Sequence, residues 1–517
     1  MNALIRPTDA ELTPPPHALT AQGGQYEVAP ELREMLCYLD TGELLVVQGC
    51  TMDPYVLAFR DDLRRQGLTP PVRCCSLAEV REHYARSPTA HNRVAGVTDS
   101  RRESATVHKV MEIITGAVRE NTSDVHFFDD EDLCRIRIRV NGLLEDFAPL
   151  PAVPAHIGLE MRAAIYQGMC DVADSTFKPH QPQDARLKES IVRSIGLYGA
   201  RVATRPLDKG QMMVCRLLYR KTGEQWTLER LGYLPEQAAL ISAMTENKHG
   251  IHIFSGATGS GKSTSLEVLI TRLIRHFKHQ LHVLTLENPP EYKIAGARQT
   301  PVIGDDWSGG IKNAMRLDPD VIMIGEMRDF TSAQSAFQAA LTGHGVWTTL
   351  HANDPFAILQ RLDDLKLDPG LYSDASLVRG LIYQALVPIL CDKCRIPFRE
   401  QSGRLPSPIA DRVRRYCDGG ASVYLHNEQG CTDPRCRKGL KGRSVVAEVV
   451  SPTQDLLDAF RTKGKAAARA EWLTNQHGIT RAAHVTKLIR EGLVDPVHGE
   501  SMVCRLDYDD ILLSTHA

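Results

Sequence analysis

Residues Gly256 to Thr264 have the types and spacing of a loop that binds phosphate groups. They read Gly-Ala-Thr-Gly-Ser-Gly-Lys-Ser-Thr, which fits G-x-x-x-x-G-K-[ST]. The glycines let backbone N–H groups turn toward phosphate oxygens, while Lys262 reaches those oxygens and Ser263 binds Mg²⁺. The structural alternative is a Gly- and Ser-rich turn ahead of a helix. We predict a nucleotide phosphate site formed by Thr258, Gly259, Ser260, Gly261, Lys262, Ser263 and Thr264.

The residues around this loop predict the strand and helix that must position it. Ile251 to Phe254 form an apolar run before the loop, and apolar residues recur with a period of 3.6 from Leu266 to Ile274 after it. Three more apolar runs end in polar clusters: Leu281 to Leu286, Val321 to Ile324 and Val346 to Leu350. Alternating strands and helices predict an α/β fold with a parallel sheet, whose carboxyl edge gathers the clusters into one site.

Three acids follow two of these strands. Glu326 ends the run from Asp318, where a carboxylate can polarise an attacking water or hold a water on Mg²⁺. Without the phosphate loop upstream, an apolar strand that ends in Glu would be taken as structural. Glu287 and Glu291 flank two prolines and come near the metal if a turn separates them, whereas the alternative is a capped loop before a helix.

Two histidines lie close together around the fourth run. His344 belongs to Thr-Gly-His-Gly and His351 to Thr-Leu-His-Ala-Asn. An isolated histidine is more often a hydrogen-bonded packing residue, but this pair is also able to sense the γ-phosphate or to relay its loss. We therefore include both imidazoles in the predicted site.

Composition limits the class of protein. The chain has 517 residues, which favours three or four domains, and 43% of them are hydrophobic. Sixty-one Lys and Arg against 63 Asp and Glu give a net charge of −2, which argues against a dedicated nucleic-acid binder. The N-terminus lacks the apolar core of a signal peptide, and no stretch is apolar for long enough to span a bilayer. These features predict a cytoplasmic protein.

Four of the 13 cysteines have the spacing of metal ligands. Cys391 and Cys394 form C-x₂-C, and Cys431 and Cys436 form C-x₄-C, so each pair can supply two thiolates to a tetrahedral zinc ion. Cys417 or His426 is able to replace one ligand, and free buried cysteines remain the alternative. The other cysteines are interpreted as ordinary thiols: Cys37, Cys50, Cys74, Cys75, Cys134, Cys170, Cys215 and Cys504.

The segment before the nucleotide domain is predicted to be a compact α+β domain. Residues from Val107 to Val118 have the pattern of an amphipathic helix, and the polar residues 98–103 before it are typical of a linker. The alternating run from Arg135 to Val140 leads through Asn141-Gly142 into a second strand, which indicates a β-hairpin. Its arginines are interpreted as a solvated face rather than a ligand site.

Together these motifs resemble the secretion ATPase superfamily, specifically the hexameric ATPases that assemble type IV pili and drive type II secretion. The resemblance covers Val107 to the C-terminus and includes the phosphate loop, an "Asp box" at Glu287 to Glu291, the strand that ends in Glu326 and a "His box" from Gly343 to His351. Ser123 to His126 and Pro182 to Arg186 are similar to the family's N-terminal domain.

The resemblance implies specific roles and partners. Arg201 and Arg216 would reach the γ-phosphate from the N-terminal domain, and Glu326 would be the base or water-orienting acid. It also implies ATP, Mg²⁺ and Zn²⁺ as cofactors, a homohexamer, and a platform protein of the inner membrane as the partner, with peripheral membrane association. A tetracysteine insert is typical of assembly-type members, whereas retraction-type members generally lack it.

The chain departs from the family pattern at two positions. Asn288 stands where the Asp box has its central acid, which leaves Glu287 and Glu291 to carry any metal or water role of that box. Ala185 replaces the glycine that usually precedes Arg186. The first hundred residues show no clear resemblance to the family, so the docking surface is not carried over.

The leading hypothesis is an ATP-hydrolysing hexameric motor for type IV pilus assembly or for extension of a type II secretion pseudopilus. The alternatives are a retraction or conjugative secretion ATPase of the same fold, and a nucleotide-gated scaffold with little turnover. Six segments are predicted: a docking or regulatory domain at 1–104, a PAS-like α+β domain at 105–222, a linker at 223–235, a RecA-like domain at 236–386, a tetracysteine zinc module at 387–445 and a helical region at 446–517.

Overall fold

The computed structural model describes residues 16–21, 25–28, 30–86, 96–171, 176–219, 226–246 and 248–514. The chain forms two compact units, Met1–Lys109 and Val110–Ala517. The Pro-rich start of the predicted N-terminal domain and residues 223–225 of the predicted linker lie outside the described residues.

The first unit contains a small sheet with helices. Strands β1 and β2 are antiparallel and β3 joins β2 in parallel, in the order β1-β2-β3. Leu36, Leu44 and Leu45 are fully buried, which explains why these short apolar runs become central to the fold. The bounds are α1 Pro30–Arg33, β1 Leu36–Tyr38, β2 Leu44–Val47, α2 Pro54–Arg65, β3 Val72–Cys75 and α3 Leu77–Arg86.

Helix α4, Gly96–Arg119, is longer than its sequence pattern indicated. The prediction of a linker at residues 98–103 is wrong, since this stretch is the first part of the helix. After Gly96 the stretch contains neither Gly nor Pro, and charged residues alone do not end a helix. The predicted amphipathic part is confirmed by the burial of Val110, Ile113 and Ile114.

An α+β domain follows and is formed around one antiparallel sheet of order β6-β5-β4-β11-β10-β9-β8, with β7 paired to β5. The predicted hairpin is confirmed: Asn141 and Gly142, with φ of 50° and 89°, form the turn between β5 and β6. The bounds are β4 Asp124–Asp130, β5 Leu133–Val140, β6 Leu143–Asp146, β7 Ala152–Pro154, α5 Ala155–Ala163, a π-helix Ala164–Met169, β8 Cys170–Asp171, β9 Gln183–Leu187, α6 Glu189–Ser194, β10 Leu197–Pro206 and β11 Gln211–Tyr219.

The RecA-like domain has a seven-stranded sheet of order β14-β13-β15-β16-β12-β17-β20. Every neighbouring pair is parallel except β17 and β20, which confirms the α/β prediction. Its bounds up to β17 are α7 Leu228–Leu231, α8 Pro235–Glu246, β12 Gly250–Ser255, α9 Lys262–His276, β13 Val283–Glu287, β14 Arg298–Pro301, α10 Trp307–Ala314, β15 Val321–Ile324, α11 Phe330–Leu341, β16 Gly345–Leu350, α12 Pro355–Asp364, α13 Pro369–Tyr372 and β17 Val378–Leu390.

A cysteine-bearing insert and a helical region complete the chain. The insert lies between β17 and its antiparallel partner β20. The bounds are β18 Ile396–Pro397, α14 Phe398–Gln401, α15 Ser407–Tyr416, β19 Tyr424–Leu425, β20 Leu440–Val450, α16 Gln454–Lys463, α17 Lys465–Asn475, α18 Arg481–Arg490, α19 Pro496–Met502 and α20 Tyr508–Ser514, with short 3₁₀ turns at Ser402–Arg404 and Asp418–Gly420.

Apolar side chains cover both faces of the seven-stranded sheet, as buried parallel strands require. One face packs Ile253, Ile322 and Phe337 together, and the other packs Phe254, Trp347 and the apolar face of α9. The residues predicted to form that helical face are all buried: Leu266, Leu269, Ile270, Leu273 and Ile274. Within the described part of the chain, none of the helices is both long and apolar enough to cross a lipid bilayer.

Candidate active site

Strand register brings the predicted polar clusters to one edge of the sheet. Ser255, the last residue of β12, lies opposite Leu350 of β16, and Ile324 of β15 lies opposite Thr348. Leu286 of β13 is in turn paired with Ile324. Because all four strands run in the same direction, the phosphate loop, Glu287, Glu326 and His351 leave the sheet on the same side.

The phosphate loop connects β12 to α9 in a glycine-dependent conformation. Gly256, Gly259 and Gly261 have φ of 140°, 79° and 86°, which L side chains rarely adopt. A Cβ at Gly256 would also lie 2.2 Å from the carbonyl oxygen of Gln384. Lys262 Nζ donates to the carbonyl oxygens of Gly256 and Ala257 at 2.8 and 3.0 Å, so the lysine folds back over its own loop.

Two acids act electrostatically on that lysine. Burial lowers the pKa of Lys262, while the negative charges of Glu326 and Glu291 oppose the shift. The ammonium group therefore feels the charge of carboxylates from two different loops.

A hydrogen-bonded pair behind the loop had no signal in the sequence. Gln384 of β17 donates to the carbonyl oxygen of Ser260 at 2.6 Å, and Tyr233 donates to Gln384 Oε1 at 2.7 Å. The Tyr233 hydroxyl also lies 3.1 Å from Ser265 Oγ, at the first turn of α9. These buried contacts fix the loop backbone, but they join residues 151 positions apart and so follow no local motif.

A small cavity beside the loop is lined by both polar and apolar residues. Ser263, Glu267 and Glu287 line it, together with Tyr292, Gly325 and the apolar residues Leu266, Ile294 and Met323. Glu287 is buried and accepts hydrogen bonds from Thr285 Oγ1 at 2.7 Å and from Gln299 Nε2 at 3.0 Å. Its carboxylate is therefore held in one orientation, and carboxylate and hydroxyl oxygens are the types of ligand that Mg²⁺ prefers.

Glu326 is held from both sides. Oε1 lies 3.1 Å from Nε2 of His351, and Oε2 accepts from Nε of Arg328 at 3.1 Å. Arg328 also contacts Asp305, so its guanidinium group connects two carboxylates. Asp305 belongs to no motif in the sequence, whereas Arg328 lies two residues after Glu326, in the Met327-Arg328-Asp329 continuation of the predicted strand.

The structure separates the two predicted histidines. His351 follows β16 beside the phosphate loop, whereas His344 precedes β16, next to the start of β12. A six-residue strand spans about 20 Å. His344 Nδ1 instead lies 2.9 Å from the carbonyl oxygen of Ala339, at the end of α11. His344 is thus placed at the opposite end of β16 from the phosphate loop of its own subunit, and its role at the γ-phosphate stays a prediction.

The two predicted arginines are cross-strand neighbours with different contacts. Arg201 of β10 pairs in register with Arg216 of β11. Arg201 Nη2 donates to the carbonyl oxygen of Pro289 at 2.9 Å and lies 3.3 Å from Oε1 of Glu291. Arg216 Nε instead donates to Asp124 within its own domain at 2.9 Å. The structure thus brings Arg201, and not Arg216, onto the acidic loop.

The predicted metal ligands converge at the ends of paired strands. Cys391 and Cys394 follow β17, while Cys431 and Cys436 precede β20, and the sulfur atoms of all four lie within 4.8 Å of one another. Cys391 and Cys431, and likewise Cys394 and Cys436, are 3.8 Å apart. This group could hold a metal ion.

The two alternative ligands do not join this cluster. Cys417 is buried in the apolar core of the insert, and His426 Nε2 lies 2.6 Å from the carbonyl oxygen of Lys438. Four cysteines therefore supply the cluster without either of them.

Known proteins resemble this chain over most of its length. A family profile described as Type II/IV secretion system protein matches residues 99–498. Type II secretion system protein E of Pseudomonas aeruginosa is 31% identical, covering 75% of this chain and 76% of that protein. Type IV pilus assembly ATPase PilB of Acinetobacter baylyi is also 31% identical, covering 72% and 62%. The X-ray structure of the Legionella pneumophila ATPase DotB shares the fold, with a TM-score of 0.52 at 20% identity over 75% of this chain and 93% of that one.

Proposed function

The chain belongs to the type II/IV secretion system protein family, and from this premise we propose that it is an ATP-hydrolysing motor for assembly of a type IV pilus or extension of a type II secretion pseudopilus. The family makes the chain a secretion superfamily ATPase. The observation that carries the proposal is the convergence at the phosphate loop: Lys262 lies in the field of Glu326 and Glu291, and Arg201 contacts Glu291.

The proposed reaction is transfer of the γ-phosphoryl group of ATP to water. Backbone N–H groups of residues 258–264 hold the phosphates, with Lys262 on their oxygens. Glu326 accepts a proton from the attacking water as the new oxygen–phosphorus bond forms, and the bond to the β–γ bridging oxygen breaks to release ADP. Lys262 and Arg201 neutralise the charge that develops, and Arg216 follows if its domain moves.

Ser263 and the carboxylate of Glu287 are the groups proposed to hold Mg²⁺. A bound ion would supply positive charge that neutralises the phosphate oxygens. Glu291 contacts Arg201, so a movement of the α+β domain would change the charge next to this site.

We propose that the cysteine cluster binds zinc. Four thiolates at about 2.3 Å from a tetrahedral ion have sulfur atoms about 3.8 Å apart. The Cys391–Cys431 and Cys394–Cys436 sulfur–sulfur distances are both 3.8 Å, which supports that ion. A tetracysteine insert favours an assembly motor over the retraction or conjugative type.

The proposed working form is a cytoplasmic homohexamer that associates peripherally with the inner membrane through a platform protein. Nucleotide-dependent rotation of the α+β domain against the RecA-like domain would move the platform protein. The proposal includes no nucleic-acid partner. Residues 1–104 are assigned to docking or regulation as part of this proposal.

Three measurements test the proposal: the mass of the oligomer, the zinc content and the rate of ATP hydrolysis. Size-exclusion chromatography with light scattering should show a hexamer with ATP and Mg²⁺, and metal analysis should find one zinc per chain. Glu326→Gln should retain ATP binding and lose at least about a hundredfold in phosphate release. Equal, negligible turnover by the wild type and by Glu326→Gln would favour the nucleotide-gated scaffold, whereas absence of zinc would favour a retraction motor.

A further inference from the structure

Asp305 lies in the loop between β14 and α10 and is fixed by three side chains. Its Oδ1 accepts hydrogen bonds from Asn288 Nδ2 at 3.2 Å, from Trp307 Nε1 at 3.0 Å and from Arg328 Nη1 at 3.1 Å. The Trp307 ring is buried in the core under the sheet. Asp305 is therefore anchored to the rigid part of the domain even though its own carboxylate faces solvent.

Arg328 connects the fixed carboxylate of Asp305 to the carboxylate of Glu326. Its Nη1 reaches both oxygens of Asp305, at 3.1 and 3.3 Å, while its Nε donates to Glu326 Oε2 at 3.1 Å. The guanidinium carbon lies 5.5 Å from the centre of the Trp307 ring. A planar group bound at three points has little freedom to rotate, so the Glu326 carboxylate has little freedom as well.

The side chain at 288 suits this arrangement only as an amide. Asn288 donates a hydrogen bond to Asp305, whereas a carboxylate at the same place would lose the donor and face a second negative charge about 3.2 Å away. Because residue 288 is an asparagine and not an acid, Asp305 carries the only negative charge of the 288–305 pair. That charge faces Arg328.

We propose that Asp305 is a positioning residue for ATP hydrolysis: with Asn288 it holds Arg328, and through Arg328 it orients Glu326 toward the attacking water. The inference rests on the proposed ATPase function. The side chain of Asp305 is 59% exposed, so its ion pair with Arg328 adds little to folding stability. The main effect of this ion pair is to fix the orientation of Glu326.

The experiment exchanges the two partners in the full-length chain. Asn288→Asp places two carboxylates together, Asp305→Asn removes the charge, and the double variant restores one amide and one carboxylate in reversed positions. Each single variant should lower kcat about tenfold with KM for ATP within about twofold, since misorientation affects chemistry more than binding. The double variant should return to within about threefold of the wild type. Asp411→Asn is the control, because Asp411 forms a similarly exposed pair with Arg414 on α15.

Wild-type kcat in Asp305→Asn, or a double variant whose loss is the product of the single losses, would overturn the inference and leave the ATPase function intact. If the wild type does not hydrolyse ATP, the proposed function fails, and the network is then tested without turnover. The chain has four tryptophans, so the indole N–H signal of Trp307 can be followed by NMR. Asn288→Asp and Arg328→Gln should both shift it, and an unchanged signal would overturn the network itself.

Discussion

Nε2 of His351 lies 3.1 Å from Oε1 of Glu326, whereas His344 lies at the opposite end of the same strand. His351→Gln should therefore lower kcat about tenfold, because Glu326 loses the group that fixes one of its oxygens. His344→Gln, the matched change, should leave kcat within about twofold of the wild type. Steady-state phosphate release on both variants checks this, and equal losses would show that His344 reaches the site after all.

Arg201 provides the second prediction, since it reaches the acidic loop from the α+β domain. Arg201→Ala should lower kcat by about a hundredfold, because a guanidinium that neutralises transferred phosphoryl charge acts mainly in the transition state. Arg135→Ala is the control: it removes an arginine from the same domain whose partner is Asp130. A larger effect on KM than on kcat would contradict a transition-state role.

The sequence predicted this edge of the sheet because its information is local. Four apolar runs define four parallel strands, and the phosphate loop, Glu287, Glu326 and His351 come directly after them. The same pattern also indicates that His344 and His351 lie at opposite ends of one strand, since the apolar run from Val346 to Leu350 separates them. The direction of Arg216 toward Asp124 was not predictable, because it depends on the register between β11 and β4 within the α+β domain.

Contacts between distant segments had no signal in the sequence. Tyr233, Gln384 and Ser260 meet only because β17 lies beside β12 in the sheet. Asp305 and Arg328 likewise lie 23 residues apart, in loops that show no motif connecting them. The positions of the candidate residues at the sheet edge were therefore predictable, but most of the side chains that contact them were not.

The support behind the phosphate loop leads to the third prediction. Gln384→Ala removes the donor to the carbonyl oxygen of Ser260, and Tyr233→Phe leaves the buried Gln384 Oε1 without its donor. A lost buried hydrogen bond costs about 1–2 kcal/mol, so each variant should weaken nucleotide binding about tenfold. Titration with a fluorescent ATP analogue measures the change. Tyr372→Phe, which removes another tyrosine hydroxyl bonded to Asp363, is the control.

The cysteine cluster leads to the fourth prediction. Cys391→Ser and Cys436→Ser should lose the metal ion and lower the melting temperature, because metal binding contributes directly to folding of the insert. Cys74→Ser should keep both, since Cys74 is exposed in the first unit. Metal analysis and thermal melts check this, with a chelator expected to reproduce the effect on the wild type. Full metal content in Cys436→Ser would contradict a four-cysteine site.

Two buried histidines give the protein a predicted sensitivity to acid. Burial lowers the pKa of His484 from 6.5 to about 4, and that of His252 to about 3. Between pH 6.5 and about 4 the unfolded chain binds a proton at His484 that the folded chain does not, so this contribution to stability is present above pH 6.5 and is lost as the pH falls.

Each such group costs about 1.4 kcal/mol of unfolding free energy per pH unit within its window. His484 Nδ1 accepts from the backbone N–H of Ala447 at 3.1 Å, and the amide oxygen of an asparagine can accept the same bond without titrating. Denaturant unfolding at pH 7 and pH 5 should therefore show a smaller acid-induced loss in His484→Asn than in the wild type. His276→Asn, at an exposed position at the end of α9, should show the wild-type loss, and equal losses in all three proteins would exclude His484 as a source of the acid sensitivity.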